Sequence, residues 1–192
     1  MRAKRLPEGG KMPNGAQAVV LCEGLQDFVF LRRTLLELGY ESRRIRPLMQ
    51  PHNGKGSGEQ YVRERYADEV RSHRSRVARM KTVLIVHTDA DSGTVQERYD
   101  SLDERLEAAG LSRRGAREAI AVLIPKRNTE TWIHFFDGLS VDEETAYPKL
   151  TGRESDAQRA AETFAVYGKN GTTPEHASPS LIRGLQEMRR VL

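Results

Sequence analysis

The stretch Thr82-Val-Leu-Ile-Val-His87, followed directly by Thr88-Asp-Ala-Asp-Ser-Gly93, decides the fold of this 192-residue chain. A run of mostly aliphatic, β-branched residues that ends in a turn segment predicts a strand buried on both faces. Such strands are typical of parallel sheets, in which helices cover both faces. The segment after the run places two aspartates, Asp89 and Asp91, at the carboxyl end of this predicted strand.

Three further runs predict the rest of the sheet. Residues 18–22 (AVVLC) and 119–125 (AIAVLIP) each predict another buried strand. Residues 45–49 (IRPLM) predict a fourth, in which Pro47 favours an edge position because proline cannot donate a hydrogen bond to a neighbouring strand. Helical patterns separate the runs, so their order predicts an α/β, Rossmann-like fold with a mostly parallel sheet and helices on both faces.

Helices are predicted wherever apolar residues recur at intervals of three or four. The first follows residue 24 and ends at Gly39, and the second spans about 59–80. A third begins near Val95, and a fourth follows Asn128, whose side chain we expect to cap it. Each helix is long enough to form the crossover that two parallel strands require.

The two ends of the chain differ from its centre. The first 16 residues are rich in glycine and proline and have little apolar content. After about residue 145 only helical patterns remain, with apolar stripes between 157 and 164 and between 181 and 192. We therefore predict a flexible arm (1–16), an α/β domain (17–145) and a helical extension packed on that domain (146–192).

The composition narrows the class of protein. The chain has 31 basic and 27 acidic residues, a net charge of +4 and an isoelectric point near 9.3, which permits a polyanionic partner. The single cysteine, Cys22, excludes an intramolecular disulfide framework and any zinc site built from several cysteines. No run approaches the roughly 18 apolar residues that span a bilayer, and the first residues lack the apolar core of a secretory signal. We expect a cytoplasmic protein without a membrane partner; a protein partner or a homo-oligomer stays open.

Acidic residues follow three of the predicted strands at their carboxyl ends. They are Glu23, Asp27, Asp89, Asp91 and Glu130. Ligands of open parallel sheets bind at this edge, so these carboxylates are expected to lie close together and to repel one another. Mg²⁺ or Mn²⁺ relieves such repulsion, because these hard cations prefer oxygen ligands. Taken singly, each acid also suits the N-terminal turn of the helix that follows it.

Two motifs resemble a known family. The segments Glu23-Gly24-Leu25-Gln26-Asp27, after the first strand, and Asp89-Ala90-Asp91, after the third, resemble the paired acidic motifs of the topoisomerase–primase (Toprim) catalytic domain. The resemblance covers about residues 17–125 and includes the order of the motifs and the helix between them. It is nearest to the compact nuclease-like branch, which includes the overcoming-lysogenisation-defect type.

The resemblance implies a role for each acid. Asp89 and Asp91 would bind Mg²⁺ or Mn²⁺, and Glu23 would transfer protons or act as a further ligand. Asp27 would be a supporting acid, and Glu130 is similar to an additional acid of small Toprim-like nucleases. The implied function is a metal-dependent phosphodiesterase that cleaves nucleic acid, DNA or RNA. The alternative is a non-catalytic module that retains the Toprim fold and binds nucleic acid or protein.

Two other phosphate-binding patterns fit less well. The sequence from Asp89 to Thr94 is similar to the Asp-x-Asp-Gly-Thr signature of haloacid-dehalogenase phosphatases, but Ser92 interrupts it before the glycine. The glycine-rich segment 53–58 lacks the spacing of a nucleotide P-loop. It is expected to form either a flexible turn or, through Lys55 and its backbone amides, a phosphate contact.

Basic residues offer further phosphate contacts. Residues 62–81 contain seven basic and three acidic side chains, so much of the positive charge lies on one predicted helix. A solvated helix face and a sequence-independent contact with the nucleic-acid backbone both explain this pattern. The candidates for phosphate contact are Lys55, Arg71, Arg74, Lys126 and Arg127.

Overall fold

A four-stranded parallel sheet forms the centre of the fold. The computed structural model describes residues 15–51, 56–150 and 154–192. Within them the strands are β1 (Gln17–Leu21), β2 (Ile45–Leu48), β3 (Thr82–His87) and β4 (Ile120–Leu123). They lie in the order β2-β1-β3-β4, and every neighbouring pair is parallel. The predicted α/β class and parallel sheet are confirmed. Most of the predicted arm, and Lys55, lie outside the described residues.

The helices connect and follow the strands. They are α1 (Leu25–Glu37), α2 (Gly58–Val77), α3 (Val95–Ala108), α4 (Thr129–Phe136), α5 (Glu154–Asn170) and α6 (Pro179–Met188). The strand and helix boundaries that the sequence predicted lie within three residues of these. Among the described residues no helix has the length and apolar character that crossing a membrane requires.

Strands β1, β3 and β4 bury both faces against helices, as their continuous apolar sequence predicts, whereas Arg46 and Pro47 of the edge strand β2 are exposed. On β1, Ala18 and Val20 pack into one apolar cluster, while Val19 and Leu21 pack into the other. Helices α1, α4, α5 and α6 cover the first face, and α2 and α3 cover the second. Because both faces are covered, the carboxyl ends of the strands are where polar side chains can meet at a cavity.

Side chains form hydrogen bonds with the backbone groups along the outer edge of β4. The Tyr99 hydroxyl donates to the Val122 carbonyl at 2.7 Å, and the Val122 amide donates to the Glu187 carboxylate at 2.9 Å. Arg114 donates to the Ile120 carbonyl at 3.0 Å and forms a mostly buried ion pair with Glu187 at 2.6 Å. These contacts replace the backbone partners that an edge strand lacks and attach α6 to the sheet.

The C-terminal helices pack on the strands and on α4. Phe164 of α5 lies between Phe30 of α1 and Trp132 of α4, with ring centroids 5.4 Å and 5.7 Å away. The Trp132 indole donates to the Ser180 hydroxyl at 2.9 Å, at the start of α6. Residues from both C-terminal helices therefore fix the position of α4, the helix that carries Glu130.

We expect Gly184→Ala to destabilise the protein, because a methyl group at this position of α6 would lie 2.5 Å from Cη2 of Trp132. Overpacking of this kind costs about 1–3 kcal/mol, which exceeds the gain of up to about 1 kcal/mol in helix propensity. Gly168→Ala in α5 is the matched control, since its nearest neighbour would be Met188 Cβ at 3.7 Å. Denaturant unfolding of both variants measures the difference. Equal stability of the two variants would contradict the close contact.

Candidate active site at the carboxyl end of the sheet

A cavity of about 370 Å³ opens beyond the carboxyl ends of the strands, and we call it the acidic cavity. Four of the five predicted acids line it. Its lining residues are Glu23, Gly24, Leu25, Gln26, Asp27, Gly58, Asp89, Glu130, Lys149 and Leu150. The parallel register explains the convergence, because residues that follow β1, β3 and β4 emerge side by side at one edge.

Glu23 is held by the end of the neighbouring strand. Leu21 of β1 pairs with Val86 of β3, so continuing the register places Glu23 opposite Thr88. Its Oε1 accepts hydrogen bonds from the Thr88 hydroxyl at 2.6 Å and from the Asp89 amide at 2.9 Å. Two donors on one oxygen fix the orientation of the carboxylate.

The start of α2 lies directly against Glu23. A Cβ atom at Gly58 would lie 2.7 Å from Glu23 Cβ and 2.9 Å from its carbonyl oxygen. Only glycine permits this approach of the two backbones, so the end of the glycine-rich segment 53–58 has a steric role. The predicted phosphate contact of Lys55 lies outside the described residues and stays a prediction.

Asp27 is buried at the first turn of α1. Its Oδ2 accepts from the Gly24 amide at 3.1 Å, and its Oδ1 accepts from the Thr129 hydroxyl at 2.6 Å. His87 Nε2 lies 3.2 Å from the same hydroxyl. Since Thr129 has one proton and donates it to Asp27, we infer that His87 Nε2–H donates to Thr129. This chain of hydrogen bonds links α1, β3 and α4 below the acidic cavity.

The charged form of Asp89 is disfavoured in the acidic cavity. Its Oδ1 is buried and has no hydrogen-bond partner in the described part of the chain. Burial raises the pKa of Asp89 well above its usual value, and the carboxylates of Asp27, Glu23 and Glu130 raise it further. Lys149 opposes them. A proton or a cation would therefore stabilise this carboxyl group.

Glu130 closes the other side of the cavity from α4. Its exposed fraction is 2%, and burial is the main cause that raises its pKa. The Leu150 amide donates to Oε1 at 3.4 Å and acts in the opposite direction. The predicted α/β domain ended at residue 145, yet the loop beyond it returns to the sheet and brings Lys149 and Leu150 to the acidic cavity.

Asn128 holds this loop through its side chain. The prediction that this side chain caps α4 is wrong. Asn128 occupies the N-cap position, but its side chain makes no capping hydrogen bond. Its Nδ2 instead donates to the Tyr147 carbonyl at 2.7 Å, and its Oδ1 accepts from the Thr131 hydroxyl at 3.2 Å. The Oδ1 atom that would cap a backbone amide of α4 accepts from the Thr131 hydroxyl instead, while Nδ2 holds the loop.

Asp91 lies apart from the other four acids. The Ala90 amide still donates to the Pro125 carbonyl at 2.9 Å, but Asp91 has a left-handed backbone (φ 52°) and its side chain is 75% exposed. Arg127 donates to its carbonyl at 3.0 Å and lies 3.8 Å from its carboxylate, and Lys126 donates to the same carbonyl at 3.5 Å. Asp91 lines a separate cavity between β3 and α3. The structure thus brings Glu23 and Asp89 together, but not Asp91.

Two of the predicted phosphate-contacting arginines make contacts within the chain. Arg71 pairs with Asp68 at 2.7 Å. Arg74 bonds both oxygens of Glu118, and it also donates to the carbonyls of Ser112 and Arg113. These bonds attach α2 to the segment between α3 and β4. The contact of either arginine with nucleic acid stays a prediction.

Sequence reasoning missed several residues that shape the site. They are Thr88, His87, Thr129, Lys149, Leu150 and Arg98, whose Nε donates to the Asp89 carbonyl at 3.0 Å. The register between β1 and β3 could have indicated Thr88. The loop that carries Lys149 has no periodic pattern, so nothing in the sequence indicated that it returns to the sheet.

The acidic cavity fits one kind of metal site better than another. In residues 15–51, 56–150 and 154–192 no three metal-ligating side chains converge as one group, which argues against a closed cage of protein ligands. Carboxylate oxygens are nevertheless the ligands that Mg²⁺ prefers, and Mg²⁺ usually uses only one or two carboxylates together with waters and substrate phosphates. The unpartnered Oδ1 of Asp89 suits that mode of binding.

No protein-family model, no curated protein and no solved structure matches this chain. The geometry and electrostatics of the acidic cavity are therefore the features that indicate a function.

We expect Asp89→Asn to raise the melting temperature at neutral pH in the presence of a chelator. The pKa of Asp89 is higher in the folded state than the unfolded value near 3.9, so its charged form opposes folding above that range. The gain from asparagine should shrink as the pH falls through the folded pKa and vanish below the unfolded one. Thermal unfolding between pH 4 and pH 8 measures this dependence.

Asp91→Asn is the matched control for that experiment, because its carboxylate is exposed and asparagine tolerates a left-handed backbone. A similar gain in both variants would show that the effect does not arise in the acidic cavity.

Proposed function

We propose that this chain is a Toprim-like phosphodiesterase that hydrolyses nucleic acid with the help of Mg²⁺ or Mn²⁺. The observation that carries the proposal is the convergence of Glu23, Asp27, Asp89 and Glu130 on one cavity, with Lys149 beside them. Their order in the sequence adds support, since the segment with Glu23 and Asp27 precedes the one with Asp89, as in the Toprim motifs.

The proposed cation would be held mainly by Asp89, with waters and oxygens of the substrate phosphate as its other ligands. In the described part of the chain one oxygen of Asp89 has no hydrogen-bond partner, and the pKa of this residue is raised; both features favour the approach of positive charge. When bound, such an ion lowers the pKa of a water molecule and stabilises negative charge that develops on a phosphate. Asp91 would take part only if the segment after Ala90 changed its conformation.

The other side chains of the acidic cavity would exchange a proton, fix the width of the cavity and attract the phosphate. Oε1 of Glu23 is held by two donors, so this residue can exchange a proton through Oε2 without breaking either bond. Asp27 and Thr129 hold α1 against α4 and so fix the width of the cavity. The Lys149 ammonium is the cationic group in the described lining and would attract the phosphate to the carboxylates.

Lys126 and Arg127 lie at the same end of the sheet. We propose that they contact phosphates of the nucleic acid that lie farther from the cleaved one. Both now donate to the Asp91 carbonyl, which leaves further donors on each side chain. Contacts of this kind do not read sequence, and they weaken as the salt concentration rises.

Hydrolysis of a labelled oligonucleotide with Mg²⁺ or Mn²⁺ tests the proposal. We expect Glu23→Gln and Asp89→Asn each to lower the rate by about 100-fold or more, the scale on which proton transfer and charge stabilisation contribute. Glu104→Gln is the matched control, because Glu104 is exposed on α3 and lines neither cavity described above. Turnover that survives chelation, or that falls equally in all three variants, would contradict the proposal.

The second candidate is a module that retains the fold and binds nucleic acid or protein without hydrolysis. The position of Asp91 favours it, since this aspartate faces Arg127 instead of the acidic cavity. In that case the oligonucleotide would bind in a salt-dependent manner and stay intact with either cation. Binding by Asp89→Asn would then equal that of the unmodified protein.

A further inference from the structure

A second cavity adjoins the acidic cavity and shares Glu23, Gly24 and Leu25 with it. We call it the side cavity; its volume is about 720 Å³, and its other lining residues are Pro47, Met49, Gln50 and Pro51. It lies between the start of α1 and the segment that follows β2, the edge strand. A substrate bound at the carboxylates would therefore extend directly into the side cavity.

We infer that the side cavity accepts one unpaired nucleotide base, so that the substrate is single-stranded nucleic acid. This inference rests on the function proposed above and names the strand type that the acidic cavity would receive. The volume falls within the range of about 300–1,000 Å³ that small-molecule sites occupy.

The lining of the side cavity suits a base better than a phosphate. Leu25 is 59% exposed, Pro47 and Pro51 are exposed, and Met49 is half-buried, so apolar groups form most of its wall. Each base has two apolar faces, and contact with them tolerates any sequence. The charged residue in the described lining is Glu23, which would repel a phosphate.

The two cavities would thus bind two different parts of the substrate. The acidic cavity, with Lys149 and the proposed cation, suits the phosphate, and the side cavity suits the neighbouring base. The Gln50 amide donates to the Gly56 carbonyl at 3.0 Å, which ties the segment after β2 to the residues just before α2. This bond orients the Gln50 side chain in the wall of the side cavity.

An intact duplex fits this arrangement poorly. Each base of a duplex is stacked and paired, so bringing it into a cavity requires unstacking, which costs a few kcal/mol. In a single strand the base is available without that cost. The preference for single strands should therefore depend on the side cavity and not on the carboxylates.

A single-stranded DNA oligonucleotide, its duplex and a set of single strands with one abasic site each provide the test, with Mg²⁺ or Mn²⁺. We expect faster cleavage of the single strand and a rise in KM when the abasic site occupies one position beside the cleaved phosphate. Met49→Ala should raise KM for the intact strand roughly fourfold or more and remove the sensitivity to that abasic site. Met80→Ala is the matched control, because Met80 precedes β3 at the opposite end of the sheet.

The outcomes separate the inference from the proposed function. Equal cleavage of duplex and single strand, with no sensitive abasic position, would overturn the inference and leave the nuclease proposal standing. Absence of any cleavage, with both methionine variants folded, would contradict the proposed function and the inference together. Met49→Leu, which conserves volume, should restore the KM and exclude misfolding as the cause.

Discussion

The burial and mutual repulsion of four carboxyl groups at one end of the sheet form the constraint to which the rest of the structure responds. Lys149 is the cation in the described lining of the acidic cavity, so neutral donors supply most of the compensation. The hydroxyls of Thr88 and Thr129 and the backbone amides of residues 24, 89 and 150 each bond to a carboxylate there. These five donors bond Asp27, Glu23 and Glu130, and none of them bonds the Asp89 carboxylate, whose pKa stays raised. The proposed cation would relieve this shortage of positive charge.

The C-terminal helices contribute to this site although they lie on one face of the sheet. Ser180, at the start of α6, accepts from the Trp132 indole and donates its amide to the Glu143 carboxylate at 2.8 Å. The first contact fixes α4, which carries Glu130, and the second fixes the loop that carries Lys149. Removing α6 would therefore disturb two walls of the acidic cavity. The close approach of Gly184 to Trp132 belongs to the same arrangement.

The strands, and the acids that follow them, could be predicted from the sequence, because short-range patterns mark the strands. An apolar run such as residues 82–87 is recognisable by itself, because a strand that is buried on both faces is apolar throughout. Lys149 depends on a loop whose path is set by Asn128, a long-range contact that no local pattern encodes. Arg74 is similar: its charge suggested a phosphate contact, whereas its bonds to Glu118 and to two carbonyls arise only in the folded chain.

The separation of Asp89 from Asp91 follows from where the sheet ends. Residues two apart on an extended strand point to the same side, so Asp-x-Asp would place both carboxylates together if β3 continued. Hydrogen bonding to the segment after β4 extends only to Ala90, whose amide donates to the Pro125 carbonyl. Asp91 then adopts a left-handed backbone conformation, and Lys126 and Arg127 bond to its carbonyl. The same two cations are proposed to contact phosphate. Each of them keeps donors beyond the one that bonds the Asp91 carbonyl, so binding of phosphate leaves Asp91 outside the acidic cavity.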